Sequence, residues 1–234
     1  MDDILNSETF LFLSSEKLVI SVYSDLNEKV YENEVLFERD SDFQEGLRHV
    51  DYFFNKNIFK IEKKIKNFIK KINVILALDI FFSVEISIKD INHNNFVNLE
   101  NLNYLLYEAK NYCKKTIRDR KICHMIIENY QIDGKNYFFL PKNAEGKNFS
   151  LDLKFICISQ DSIKSLENVL KKYQISIGQI ACKDYISNFF NNDEKDIFIL
   201  TKKILAGDNP NEIIISNKTS KNPGFFEKFF NFFN

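Results

Sequence analysis

TFLFLSSEKLVISVYSDLNEKVYENEVLFE (residues 9–38) contains three short runs, TFLFLSS, KLVISVYS and KVYENEVLFE, separated by the polar breaks SEK and DLNE. Each run is rich in β-branched and aromatic residues, which fit a pleated, half-buried surface, so each reads as a strand. Three consecutive strands predict a meander. Asp42 is then a candidate N-cap for a helix running to about Asn55.

Working outward, IFKIEKKIKNFIKKI (58–72) puts Ile58, Ile61, Ile65, Phe68, Ile69 and Ile72 on one helical stripe, with the lysines off it. A core-facing helix with a solvated lysine face is the preferred reading; the alternative is a basic amphipathic helix for a membrane or an acidic partner. NVILALDIFFSVEISI (73–88) reads as one long strand or a pair. NLENLNYLLYEAKNYCKKTI (98–117) is a helix with Leu102, Leu105, Leu106 and Ala109 at core spacing. CHMIIENYQIDGKNYFFLP (123–141) is a hairpin turning at Asp133-Gly134. SLDLKFICISQ (150–160) is a strand, and DSIKSLENVLKKYQI (161–175) a helix with Asp161 as its candidate N-cap. DYISNFFNN and EKDIFILTKKILAG read as helices ending near Gly207, with DNPNE as a turn, IIIS as a short extended piece and NKTSKNPG as a polar linker.

Composition bounds the function. The chain has 234 residues, 44% hydrophobic and 28% charged, which suits a globular fold. A net charge of −1 supplies no global field for nucleic acid, so no nucleic-acid partner is expected. No run approaches the ~18 apolar residues of a membrane span. The acidic start MDDILNSETF lacks the basic start of a signal peptide, and Cys113, Cys123, Cys157 and Cys182 form no CxxC pair. Both features make the cytosol, with reduced thiols, the expectation. The six glycines lie too far apart for GxGxxG or Walker A loops, which excludes a glycine-rich phosphate cradle.

Catalytic patterns are absent. His49, His93 and His124 have no metal-ligand spacing, and Cys123 and His124, adjacent on a strand, face opposite sides. Asp79, inside VILALDIFF, is either a buried acid or a strand end, and the strand end is preferred. No enzyme, no metal and no cofactor is expected.

The C-terminal PGFFEKFFNFFN is more explicit. On a helical wheel Phe225, Phe226, Phe229, Phe230, Phe232 and Phe233 fill an arc of roughly 160°, while Glu227, Lys228, Asn231 and Asn234 occupy the other side. Such segregation suits a helix lying flat on a bilayer, folding on contact because ten residues make a poor helix in water. Burying one Phe gives roughly 1.5–3 kcal/mol, so six support reversible attachment. Lys228, Lys218 and Lys221 add modest attraction to an anionic membrane surface. Docking in the protein's own core, or in a partner's groove, are the other uses of such a face.

The order of elements, taken with this tail, resembles the bacterial cell-division protein FtsA, an actin-like membrane adaptor. VNLENLNYLLYEAKNYCKKTI (97–117) looks like the first helix of the subdomain specific to that family. CHMIIENYQIDG (123–134) looks like its HxxPxxYxxDG strand and turn, and PKNAEGKNFSLDLKFICIS (141–159) like the stretch that follows. DSIKSLENVLKKYQI matches its second helix and DYISNFF the return to the core. The departures matter as much. Where the family has Asp-x-Gly followed by Ser or Thr, this chain reads Leu13-Ser14-Ser15-Glu16-Lys17, and NNDEKDIFILTKKILAG stands in place of the glycine-rich second phosphate loop. Too few residues remain for the second lobe, which in the family closes over ATP and contacts FtsZ.

The resemblance therefore implies a mixed α/β fold: a partial actin-like (ribonuclease-H-like) first lobe, an inserted α+β subdomain and a C-terminal amphipathic helix. The expected boundaries are 1–89 and 176–206 for the core, 90–175 for the insert, 207–224 for a linker and 225–234 for the anchor. The implied protein neither binds nor hydrolyses ATP. It is a non-catalytic adaptor on the cytoplasmic face of the bacterial membrane, at the division site, with Phe225, Phe226, Phe229, Phe230, Phe232, Phe233 and Lys228 on lipid. Its partners are the anionic membrane surface and other cell-division proteins or itself. A soluble interaction protein, PilM-like or other, whose tail docks in a partner groove is the alternative.

Overall fold

The computed structural model describes residues 7–91, 97, 99–142, 144–190 and 196–214. His93, Lys218, Lys221, Lys228 and all six tail phenylalanines lie outside the described residues. The chain divides into two units: 1–81 with 158–204, and 82–157 with the segment from 205 onward. Both are α/β in composition, as the sequence predicts.

In unit 1, strands β1 (Ser7–Ser14), β2 (Lys17–Ser24) and β3 (Lys29–Leu36) form the antiparallel meander. Helix α1 (Phe43–Ile65) then crosses over to β4 (Lys71–Ala77), which pairs parallel with β1. Helix α3 (Gln160–Lys171) leads to β9 (Ser176–Cys182), parallel to β4, giving the sheet order β3-β2-β1-β4-β9. The alternation along β1 and β2 explains why the sheet is covered on both faces. Phe10, Phe12, Val19 and Tyr23 cluster with Phe198 of α5 (Ile197–Ala206). Leu11, Leu13, Leu18, Ile20 and Val22, on the opposite side of the pleat, are equally buried. Short α4 (Lys183–Phe189) adds Ile186 to a cluster with Ala181, Leu200 and Ile204. Gly46 lets α1 approach β1 closely, since a Cβ there would stand 3.2 Å from the Leu13 side chain.

Three local expectations change. The stripe from Ile58 to Ile72 is not one helix: α1 ends at Lys66, in the left-handed conformation (φ 55°), and Ile72 belongs to β4. The ending is fixed by side chains, because Glu62 accepts from the Ile69 amide (3.0 Å) and Asn67 caps the Phe68 amide (2.8 Å). The N-cap of α3 is Ser159, whose hydroxyl accepts from the Ser162 amide at 2.9 Å, while Asp161 lies in the first turn. Strand β9, SIGQIAC, has no counterpart among the strands read from the sequence.

In unit 2, β5 (Phe81–Ile91), β6 (Arg120–Ile132), β7 (Lys135–Tyr137) and β8 (Asn148–Ser159) form a sheet in the order β5-β8-β6-β7. Helix α2 (Leu99–Thr116) contributes Leu102, Leu105, Leu106, Ala109 and Cys113 to one core with Phe149, Leu151, Leu153, Phe155 and Cys157 of β8. Asp133 (φ 46°) and Gly134 (φ 82°) make the predicted turn with two positive φ angles. The Asp133 carboxylate accepts from the amides of Asn148 (2.8 Å) and Lys147 (3.2 Å), which holds it below the usual carboxylate range. The division between units falls at 81/82 and 157/158 rather than at the expected 89/90 and 175/176. Helix α3 goes with unit 1 because Ile163, Leu166 and Leu170 are buried where it packs on α1 and β9.

Candidate functional site

The tip of the β1–β2 hairpin is where the resemblance places a phosphate loop. Here only Ser15 and Glu16 connect the strands, and the turn is closed on itself. The Ser14 hydroxyl accepts from the amides of Glu16 (3.2 Å) and Lys17 (3.1 Å). The following segment binds the tip again, through Phe37 N to Glu16 O (2.7 Å) and Ser41 N to Ser15 O (2.8 Å). A phosphate cradle needs backbone amides pointing into open space. The amides of Glu16 and Lys17 already have an oxygen partner.

Unit 1 also carries a groove of about 600 Å³ over the β2–β3 edge of the sheet, beside α5. Its apolar lining is Phe12, Val19, Phe198 and Leu200, and its polar lining includes Lys17, Lys29, Glu32, Glu34 and Asp196. The cations are matched: Lys17 meets Glu34 at 2.9 Å, Lys29 meets Glu32 at 2.7 Å and Asp196 at 3.3 Å, and Lys183, also in the lining, meets Asp184 at 3.4 Å. Burial pushes the Asp196 carboxyl up. The Tyr23 hydroxyl (2.6 Å), the Phe198 amide and Lys29 outweigh that and hold it below its ordinary value. Burial and the bond to Asp196 raise Tyr23 to about 12. An anionic ligand entering this groove would have to break these pairs.

The segment after α5 is the feature that the sequence reading misses. Residues 207–224 are expected as a linker, yet Asn209, Asn211 and Glu212 are buried. The Asn209 side chain accepts from the Asn211 amide at 2.9 Å, a local turn that sends the chain along β6. Ile127 N donates to Asn211 O, and Ile213 N to Met125 O, both at 2.8 Å, so the segment extends the sheet antiparallel to β6. β7 pairs only with residues 130–132 of β6, which leaves the rest of that strand for this segment. Side chains lock it in place. His124 Nδ1 lies 2.7 Å from Glu212 Oε1 with both groups buried, and Asn211 Nδ2 donates to the Phe138 carbonyl at 3.0 Å. The signal in the sequence was a glutamate preceding an apolar IIIS run after a Pro turn, but only the fold brings it to His124.

The other residues weighed from sequence separate. Asp79 is exposed in the turn between β4 and β5, as the strand-end reading has it. His49 stacks on Phe37 (centroids 4.0 Å apart) with Ser41 beside its Nε2. Cys113 and Cys157 are buried in the core of unit 2, and burial, with the neighbouring Cys113, raises the Cys157 thiol to about 12. Such a thiol is a poor nucleophile. Among the described residues, no group of three His, Cys, Asp or Glu is arranged to hold a metal, and no helix is long and apolar enough to cross a membrane.

No protein-family profile matches the chain. No curated protein matches it at a significant level. Among solved structures it is similar to the cytoplasmic domain of EpsL, an inner-membrane component of the type II secretion system of Vibrio cholerae. That match has 11% identity and a TM-score of 0.34, and covers 77% of this chain and 57% of that one. It is similar to the PilM–PilN type IV pilus biogenesis complex at 8% identity and a TM-score of 0.45, over 78% of this chain and 49% of that one. A Bacteroides thetaiotaomicron protein of actin-like ATPase fold and unknown function matches at 14% identity and a TM-score of 0.34, over 81% and 58% of the two chains. The chain thus spans between about half and three-fifths of the length of these proteins.

Proposed function

We propose that this chain is a non-catalytic, membrane-associated adaptor. In this reading unit 1 is a truncated actin-like lobe, unit 2 is the inserted interaction subdomain, and the Phe-rich segment 225–234 is the anchor. The strand order of unit 1 supports the first part: a three-stranded meander, then two parallel strands reached through helical crossovers. The closed hairpin tip at Ser14 supports the absence of nucleotide chemistry. The FtsA resemblance is what supports the cytoplasmic face of the bacterial membrane, the division site and partners among division proteins.

The observation that carries the reading is the single apolar arc of Phe225, Phe226, Phe229, Phe230, Phe232 and Phe233, with Lys228 on the polar side. The packed segment Asn209–Ile213 gives that arc a fixed point of departure on unit 2. Flotation with vesicles of phosphatidylglycerol and phosphatidylcholine tests it. The whole chain should float and a chain ending at Pro223 should remain below. Equal behaviour of the two sinks the membrane anchor and leaves the groove of a partner protein as the seat of the tail.

A further inference from the structure

The loop that follows β7 turns two aromatic rings outward. Tyr137 and Leu140 pack against the core of unit 2, while Phe138 and Phe139 between them are 66% and 54% exposed. Their rings meet edge to face, with centroids 4.7 Å apart, forming one apolar knob. Lys135 and Lys142, both exposed, flank the knob in sequence. Two neighbouring Phe rings left in water forgo much of the stabilisation that burial would return.

The knob adjoins the segment 209–214, the part of the described chain nearest in sequence to the tail. Asn211 Nδ2 is bonded to the Phe138 carbonyl, and only Glu212 and Ile213 separate Asn211 from Ile214, a span of about 10 Å at most. From Ile214 to Phe225 the chain can reach no further than about 40 Å.

We infer that Phe138 and Phe139, with Lys135 and Lys142, form a second contact with the anionic lipid surface that receives the tail. This rests on the membrane reading above. The rings enter the interfacial region while the two lysines, on flexible stems, reach the headgroups. Lipid fits this knob because its apolar tip and basic flanks complement an anionic interface, and because it stands beside the root of the proposed anchor. Once the tail is down, the knob faces the same bilayer at high effective concentration, so two weak contacts combine into one firm attachment.

The test uses the whole chain, its Phe138→Ser/Phe139→Ser variant, and a chain ending at Pro223, titrated with vesicles of phosphatidylglycerol and phosphatidylcholine. The double variant should bind about tenfold more weakly while melting at the same temperature, since both rings are already exposed. Lys135→Glu/Lys142→Glu, which leaves the rings untouched, should weaken binding several-fold on these vesicles and not on pure phosphatidylcholine. If the chain ending at Pro223 loses binding but both double variants bind as the whole chain does, the knob is not a lipid contact, although the anchor stands. If the ring variant loses binding and the chain ending at Pro223 keeps it, the knob stands and the tail is not the anchor. A ring variant that binds vesicles normally but sediments with lower mass than the whole chain would reassign the knob to a second copy and overturn the inference.

Discussion

Glu212 places a carboxylate oxygen 2.7 Å from His124 Nδ1, and both side chains are almost wholly withdrawn from water, 88 residues apart in sequence. The contact closes the segment 209–213 onto β6. Breaking a buried pair by removing one partner leaves the other in a site shaped for it, at a cost of about 3–5 kcal/mol. Glu212→Ala should therefore lower the urea midpoint, with faster exchange of the Ile127 and Ile213 amides that pair with this segment. If the midpoint falls but those two amides remain protected, the pair supports the core and does not hold the strand.

Gly178 sits opposite Asn73 at a β-bulge. The register of β4 against β9 passes from Ile72↔Ile177 to Val74↔Ile180, so Asn73 faces two residues, and its side chain accepts from the Gln179 amide at 3.2 Å. A Cβ on residue 178 would lie 2.3 Å from the Asn73 oxygen. Gly178→Ala should displace that side chain, break its bond and cost about 1–2 kcal/mol, read as a lower chemical-denaturation midpoint. Adding Asn73→Ala should remove the nearest clash and leave the flexible end of Lys71, 2.9 Å away, to give way, so the two effects should be clearly non-additive.

Most of the fold was legible in the sequence because its elements announce themselves locally. The meander, the core spacing of Leu102, Leu105, Leu106 and Ala109, and the Asp133-Gly134 turn all depend on periods and turn chemistry within a short window. What escaped depends on distant partners. SIGQIAC is short, has no strict alternation and carries a glycine at its bulge, so its identity as a strand comes from β4. DNPNE has the composition of a loop, and its Asn209, Asn211 and Glu212 are buried because His124, Met125, Ile127 and Phe138 stand ready to receive the segment. The break between Ile65 and Ile72 was hidden because lysines and isoleucines continued the helical period beyond the left-handed Lys66.

The fold should lose stability at both ends of the pH scale. Lys172 and Tyr173 hold Asp51 below the ordinary aspartate value, and Asp133 and Asp196 are held below it too. A depressed carboxyl contributes stability that is full above the unfolded value near 3.8 and disappears as pH falls through the lower folded value. Burial raises Tyr23, Tyr130 and Tyr173 to about 12. Their contribution is full below the unfolded value of 10.0 and is lost as pH rises toward about 12. Urea midpoints across the pH range should thus form a plateau that falls below about pH 4 and again above about pH 10. Asp51→Asn should flatten part of the acid limb, and an unchanged limb would remove Asp51 from the explanation.

ATP with Mg²⁺ should leave the melting temperature unchanged at millimolar concentration. A ligand that binds the folded state raises stability with its occupancy, by about 2.7 kcal/mol at a hundred times its dissociation constant, so even a modest site would register. The hairpin amides of Glu16 and Lys17 are bonded to Ser14, and Lys17 and Lys29 in the groove are matched by Glu34, Glu32 and Asp196. Ser14→Ala separates the two causes. Removing the hydroxyl frees both amides, at a cost of about 1 kcal/mol in stability, yet it should not create a thermal shift with ATP, because the tip still lacks the acidic residue and the glycine of a phosphate loop. A clear shift in the unaltered chain would return a nucleotide to this fold and end the non-catalytic reading.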